Sequence, residues 1–228
     1  MAASLIISSM EGKSFALITE GVSEHQIIKH ILQRYLDEEP EIHQLQPEIV
    51  DGKQRAIGGW NEVLNYCKRE ENLQTALLYN DYIVIQIDTD QCQIDPFSVP
   101  KIENGKLLSM EDLWQRVYDR IMNAIPASID KSRIIVAICS DTIECWLLPV
   151  CCATKIAKTH TNQCVNHLNR ELRRLDIHPI VDKNSNQARA SYAAVLSRMQ
   201  KKRDINQAAQ FHYGFGQFIS MLDRIEEE

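Results

Sequence analysis

The chain has 228 residues, a net charge of −6, a hydrophobic content of 44% and a charged content of 25%. This length suffices for one sizeable domain or a domain with an appendage, and the composition is ordinary for a soluble globular protein. The acidic balance argues against a uniformly basic nucleic-acid binder. No apolar run approaches the roughly 20 residues of a membrane span, so we expect no membrane segment. No basic region precedes the short apolar stretch in 1–10, so we expect no secretory signal.

Strand-like and helix-like segments alternate along the chain, which predicts an α/β fold with a mostly parallel sheet flanked by helices. An S-x-x-Q capping box is predicted at Ser23, and Ser109 is predicted to cap a later helix. The predicted strands are 14–19, 48–50, 82–87, 133–139 and 177–181. The predicted helices are 24–37, 60–70, 109–124, 142–149, 162–175, 187–201 and 204–224. We therefore expect a catalytic-type α/β domain over 1–150, with a basic, mainly helical extension over 151–228 packed on it.

Carboxylates follow two of the apolar strand-like runs. Glu20 comes directly after 14–19, and Asp88 and Asp90 come directly after 82–87. Each motif alone has a simpler explanation, since a Glu can complement a helix N-terminus and acidic pairs are frequent in turns. Together they are more informative, because the carboxyl ends of parallel strands face one crevice and converging carboxylates usually imply a hard cation such as Mg²⁺.

Three segments in this order resemble the Toprim domain, the metal-binding catalytic unit of topoisomerases, bacterial primases and OLD-family nucleases. The segments are LITEGVSE over 17–24, IQIDTD over 85–90 and CSDTIECWLLP over 139–149. The first two resemble its Glu-after-strand and DxD signatures, and the third is similar to a segment of small RloB-like Toprim proteins from bacterial defence loci. The resemblance ends at Pro149.

The resemblance implies a Mg²⁺- or Mn²⁺-dependent nuclease that hydrolyses phosphodiester bonds in DNA or RNA. It makes Glu20 a metal ligand or a general acid/base, and it makes Asp88 and Asp90 metal ligands. Glu24 and Glu144 become candidate ligands for a second metal or for fixing the first. Glu144 has an alternative, because its apolar neighbours, Trp146 among them, would equally suit the edge of a core helix.

A basic stretch follows the region of resemblance. From 155 to 203 the chain carries eleven Lys/Arg and three Asp/Glu. Such a segment suits a polyanionic substrate, and a solvated helix surface is an equally weighted alternative. A lysine could stabilise the transition-state charge, and Lys155, Lys158 and Lys183 are the candidates among which the sequence does not choose.

The seven cysteines are irregularly spaced and form no CxxC pair. Reduced thiols in a cytoplasmic protein are therefore expected. A loose Cys/His group lacks the paired spacings of zinc sites, so buried structural cysteines and surface histidines are the favoured interpretation. Its members are Cys151, Cys152, His160, Cys164 and His167.

The functional hypotheses differ in whether the chain is catalytic. The first is an endonuclease that acts in antiviral defence on DNA or tRNA, beside a separate ATPase because the chain has no GxxxxGK[ST] loop. The alternative is a non-catalytic interaction or regulatory subunit of the same fold. A phosphatase or phosphotransfer domain is disfavoured, because Gln91 and Cys92 after the DxD do not fit its pattern. A homo-oligomer is left open.

The aromatic residues over 211–218 are expected to dock the last helix on the core rather than to stack on bases.

Overall fold

A computed structural model describes residues 12–50, 53–54 and 57–227, without the side chains of 49–50 and 53–54. The segment 1–10, which bears on the secretory-signal expectation, lies outside these residues. Within the part of the chain that is described, no helix combines the length and apolarity needed to cross a membrane.

The main sheet has four parallel strands in the order β2-β1-β5-β8. Their carboxyl ends share one edge, where Asp88 of β5 is in register with Cys139 of β8. All residues of β5 and β8 are buried, as expected where helices cover both faces of a parallel sheet. Two small antiparallel pairs, β3–β4 and β6–β7, lie outside this sheet. The strands are β1 Ser14–Ile18, β2 Glu41–Gln46, β3 Ile49–Val50, β4 Lys53–Gln54, β5 Tyr82–Asp88, β6 Ile102–Glu103, β7 Lys106–Leu107 and β8 Ile134–Cys139.

Helices occupy the segments between the strands and most of the chain after β8. Two short 3-10 helices, Lys131–Arg133 and Ile143–Leu147, flank β8. The α-helices are α1 Val22–Tyr35, α2 Trp60–Cys67, α3 Glu70–Tyr79, α4 Met110–Ala124, α5 Leu148–Cys151, α6 Lys155–Lys158, α7 Cys164–Arg174, α8 Asn186–Leu196, α9 Lys202–Ala209 and α10 Tyr213–Glu226. The predicted α/β class with a parallel sheet and a helical C-terminal part is confirmed.

Some local predictions are confirmed and others are wrong. Ser109 caps α4, accepting a hydrogen bond from the Asp112 N–H at 3.0 Å. The prediction of a capping box at Ser23 is wrong, because α1 begins after Gly21 and the Ser23 hydroxyl donates to the Glu24 carboxylate instead. The strand predicted over 177–181 does not form. There the Asn169 side chain bonds both the N–H and the C=O of Ile180, at 2.7 and 2.8 Å, in place of a neighbouring strand.

Several elements escaped the sequence patterns, and the two longest of them are β2 and α3. The strand β2 lies at the sheet edge, and all its residues before Gln46 are exposed or only partly buried, so it lacks the apolar run of its neighbours. The helix α3 buries only Leu73 and Ala76, while Leu78 and Tyr79 are exposed. The predicted helix over 142–149 is a 3-10 turn that continues into α5.

The last helix, α10, packs against β8 and completes the core. Trp146 stacks on Phe215 with ring centroids 4.4 Å apart, and Phe218 lies on the same indole at 5.7 Å. A Cβ at Gly214 would lie 2.1 Å from the Ile138 carbonyl oxygen, so glycine allows the helix to contact the strand backbone directly. Docking of these aromatic residues, and burial of Trp146, are confirmed.

Candidate functional site

A cleft of about 400 Å³ opens at the carboxyl ends of β1 and β5. Four carboxylates and one ammonium group line it, those of Glu20, Glu24, Asp88, Asp90 and Lys183. The strand ends that the sequence singled out therefore do converge. A larger groove of about 750 Å³ beside β2 and α3 has a single carboxylate in its lining, so the chemistry concentrates at the smaller cleft.

Glu20 and Asp88 are fixed to each other through the backbone and one buried amide. The Asp88 N–H donates to Glu20 Oε1 at 2.6 Å. The Gln86 side chain accepts from the Glu20 N–H at 3.2 Å and donates to Asp88 Oδ1 at 2.8 Å. Gln86 is fully buried in the middle of β5, so its amide holds the ends of two strands in one arrangement.

The charges at the bottom of the cleft are not balanced by the protein alone. Burial is the main cause that raises the pKa of Glu20 to about 8; the Asp88 N–H and Lys183 act to lower this pKa, and the nearby Glu24 and Asp90 carboxylates act to raise it. Burial and the Glu20 carboxylate likewise raise the pKa of Asp88 well above its usual range. Such a cluster keeps a proton near neutral pH unless a cation offsets the repulsion.

The donor set fits a hard divalent cation. Glu20, Asp88 and Asp90 offer only oxygen atoms, which suit Mg²⁺ or Mn²⁺. Among the described residues, no three cleft carboxylates bring their oxygens within 4.8 Å of one another. This spacing fits Mg²⁺, which usually retains several water ligands and uses only one or two carboxylates.

Lys183 is the functional side chain that sequence reasoning could not single out. It lies in the turn before α8, and its Nζ is 2.8 Å from Glu144 Oε1 and 3.3 Å from Glu24 Oε1. Burial lowers the pKa of Lys183, but the Glu144, Glu24 and Asp88 carboxylates outweigh it and raise this pKa above its usual value. The ammonium group is therefore a permanent positive charge at the rim of the cleft.

Glu144 is placed behind Lys183 and is fully buried, and it does not line the cleft. Its Oε1 also accepts a 2.5 Å hydrogen bond from the Tyr192 hydroxyl. Burial acts to raise the pKa of Glu144, but Lys183 and its hydrogen bonds outweigh that effect and hold the pKa below its usual value. In this arrangement Glu144 anchors the lysine through its Oε1 atom.

Lys155 and Lys158, predicted as catalytic candidates, are not brought to the cleft. Both belong to α6, where Lys155 is exposed and the Lys158 Nζ lies 5.3 Å from the centroid of the Phe211 ring. Neither is among the residues that line the cleft. Of the three lysine candidates, only Lys183 contacts the carboxylates.

The DxD turn is held by the loop after β8. The Thr89 and Asp90 N–H groups both donate to the Asp141 carbonyl oxygen at 3.0 Å. In return the Asp141 N–H donates to the Thr89 hydroxyl at 2.9 Å. Asp141 has a positive φ of 60°, a conformation that Asp tolerates better than most residues. No sequence signal pointed to this role of Asp141.

The expectation of reduced thiols is wrong for two of the seven cysteines. Cys145 and Cys164 form a disulfide with their Cα atoms 5.0 Å apart. They are 19 positions apart in the sequence, and the packing of α7 on the 3-10 turn brings them together. The other five cysteines are free, and all but Cys151 are buried, as predicted for structural cysteines. His160 and His167 are partly exposed and stack on each other, with ring centroids 3.8 Å apart.

Comparison of the chain with protein-family models, with curated proteins and with solved structures found no match in any of the three. The functional conclusion therefore depends on the site itself.

Proposed function

We propose that this chain is a Mg²⁺- or Mn²⁺-dependent nuclease with a Toprim-like fold. The observation that carries the proposal is the convergence of Glu20, Asp88 and Asp90 with Lys183 in one cleft at the carboxyl edge of a parallel sheet. Ligand sites in open α/β sheets lie at this edge. An acidic cluster flanked by a fixed cation also suits metal-dependent phosphodiester hydrolysis.

Each side chain has a distinct role in the proposed reaction. Asp88 and Asp90 would hold the divalent cation, which when bound neutralises the scissile phosphate and lowers the pKa of a water nucleophile. Glu20 completes the ligand set or carries a proton, and its position beside the Asp88 N–H suits both roles. Lys183, anchored by Glu144, presents positive charge to a phosphate oxygen as negative charge develops there.

The substrate proposed is a nucleic acid, DNA or RNA, with tRNA as one candidate. Lys183 belongs to the basic stretch 155–203, so this stretch contributes directly to the cleft despite the net charge of −6. A polyanion would meet positive charge at the rim and a cation at the floor. We further propose a cytoplasmic endonuclease of antiviral defence that works beside a separate ATPase, because the sequence has no phosphate-binding loop.

A cleavage assay tests the proposal directly. Plasmid, single-stranded DNA and total tRNA are incubated with the protein and Mg²⁺ or Mn²⁺, with and without EDTA. Asp88→Ala is the test variant, and Asp119→Asn is the matched control because Asp119 is exposed on α4, away from the cleft. Cleavage that needs the cation, disappears in Asp88→Ala and persists in Asp119→Asn supports a nuclease. Cleavage that survives Asp88→Ala contradicts it.

A second candidate, a non-catalytic interaction subunit, is favoured by one observation. Lys183 already pairs with both Glu24 and Glu144. An internal cation could thus stand in for a metal ion. Titration with Mn²⁺ separates the candidates: a catalytic site binds the ion and loses it in Asp88→Ala, whereas the interaction subunit binds none.

A further inference from the structure

A second cluster of metal-ligating atoms lies beside the cleft and is chemically different from it. Cys145 lies in the 3-10 turn Ile143–Leu147, and Cys164 is the first residue of α7. Both are fully buried and joined as a disulfide. The Asp141 carboxylate completes the group, because its oxygen and the two sulfur atoms all lie within 4.8 Å of one another.

The Asp141 side chain is held at this position by the backbone of its neighbour. Its Oδ2 accepts a hydrogen bond from the Cys164 N–H at 3.4 Å, which keeps the carboxylate beside the pair of sulfur atoms. Asp141 is only partly buried and also lines a pocket of about 190 Å³, together with Ser140, Thr161 and Asn162. The buried sulfur atoms therefore have an oxygen ligand on the side that faces this pocket, through which an ion could enter.

We propose that Asp141, Cys145 and Cys164 form a Zn²⁺ site when the disulfide is reduced, and that the disulfide is the metal-free form of the same site. Two thiolates and one carboxylate are a ligand set that zinc accepts and that Mg²⁺ does not. Three protein ligands leave a fourth tetrahedral position for water from the pocket. The loose Cys/His spacing in the sequence did not predict this set, because Asp141 and Cys145 lie outside it.

Conversion of the disulfide into the zinc site requires two electrons, which a thiol or a phosphine can supply. Two electrons from the reductant cleave the S–S bond, two protons complete the two thiols, and the reductant is oxidised. Binding of Zn²⁺ then displaces both thiol protons, so the metal-bound form has two Zn–S bonds and releases two protons to solvent. No group from the carboxylate cleft takes part, so this inference stands independently of the proposed nuclease.

The zinc site would be mechanically linked to the cleft. The Asp141 carbonyl oxygen accepts the N–H groups of Thr89 and Asp90, so the residue that offers the oxygen ligand also fixes the DxD turn. Cys145 directly follows Glu144 in the 3-10 turn, and Glu144 is the residue that anchors Lys183. The oxidation state of the pair therefore acts on the backbone that carries both halves of the cleft.

Cobalt spectroscopy on the full chain tests the site without reference to activity. The protein is reduced under native conditions with a phosphine, and free thiols are counted before Co²⁺ is added. We expect seven thiols after reduction against five before it. One equivalent of Co²⁺ should then give thiolate-to-cobalt charge-transfer absorption that one equivalent of Zn²⁺ abolishes, while the oxidised protein gives none. Carboxylates in the cleft cannot produce this absorption, so the proposed nuclease could fail while the zinc site holds.

Three variants assign the ligands. Cys164→Ser should abolish the absorption, whereas Cys151→Ser, the matched control at a free cysteine outside the cluster, should retain it. Asp141→Asn retains both cysteines and should weaken Zn²⁺ binding by at least about 10-fold, because losing even the hydrogen-bond partner of a ligand has an effect of that size. Five thiols after native reduction, no absorption in the reduced protein, or unchanged affinity in Asp141→Asn would each overturn the proposal.

Discussion

The two halves of the candidate cleft come from regions with opposite sequence character. The acidic half, Glu20 with Asp88 and Asp90, lies at or just past the ends of apolar strands and depends on local sequence order. The cationic half consists of Lys183, the Glu144 carboxylate that anchors it and the Tyr192 hydroxyl that donates to Glu144; Lys183 and Tyr192 lie 39 and 48 positions after Glu144. Acidic ligands can thus be located from strand ends, whereas the lysine that complements them is located only by tertiary packing.

The largest effect is expected from the acidic half. Replacing Asp88 with Ala should lower the single-turnover cleavage rate by at least about 1,000-fold, equivalent to about 4 kcal/mol, because it removes a cation ligand and breaks the contact with Gln86. Thermal unfolding should show that the variant stays folded, since removing one of several repelling buried carboxylates relieves repulsion. A folded variant with wild-type rates would assign no catalytic role to the acidic half.

The cationic half should affect stability as well as activity. Lys183→Met leaves the Glu144 carboxylate buried without its cation, and breaking a buried pair in this way costs about 3–5 kcal/mol of unfolding free energy. Adding Glu144→Gln to Lys183→Met should restore most of that stability, because the neutral amide needs no counter-charge. Cleavage should stay low in the double variant. Recovery of cleavage together with stability would mean that the lysine is structural only.

The acidic half should also show in the pH dependence of stability, measured by denaturant unfolding in EDTA. The folded-state pKa of Glu20 is raised to about 8 from an ordinary value of 4.5. Between pH 4.5 and pH 8 the folded protein therefore keeps a proton on Glu20 that the unfolded chain has lost. The contribution of Glu20 to the unfolding free energy is complete below pH 4.5 and falls as the pH rises towards 8. The loss should be about 3 kcal/mol, allowing for partial exposure of Glu20. Glu20→Gln should flatten this alkaline slope, and an unchanged slope would refute the assignment.

The different origins of the two halves explain how much of the fold and of the cleft could be predicted from the sequence. The runs that became β1, β5 and β8 are mostly apolar because both sheet faces are covered, so their ends and the carboxylates at those ends were predictable. The edge strand β2 lacks such a run and was missed. Lys183 could not be chosen over Lys155 and Lys158, because a lysine pattern does not record which lysine reaches Glu24 of α1 and Glu144 of the 3-10 turn.

The smallest effect tests how the C-terminal region is joined to the sheet that carries the acidic half. Gly214→Ala would place a Cβ 2.1 Å from the Ile138 carbonyl oxygen, which is backbone and cannot move aside, so α10 must shift from β8. We expect a loss of about 2 kcal/mol in unfolding free energy, within the range for overpacked cores.

Gly216→Ala is the matched control two positions along the same helix, where the nearest atom would be 3.6 Å away. Because alanine favours a helix over glycine by up to about 1 kcal/mol, the control should be neutral or stabilising. Equal effects of the two substitutions would mean that the close approach of α10 to β8 does not constrain the fold.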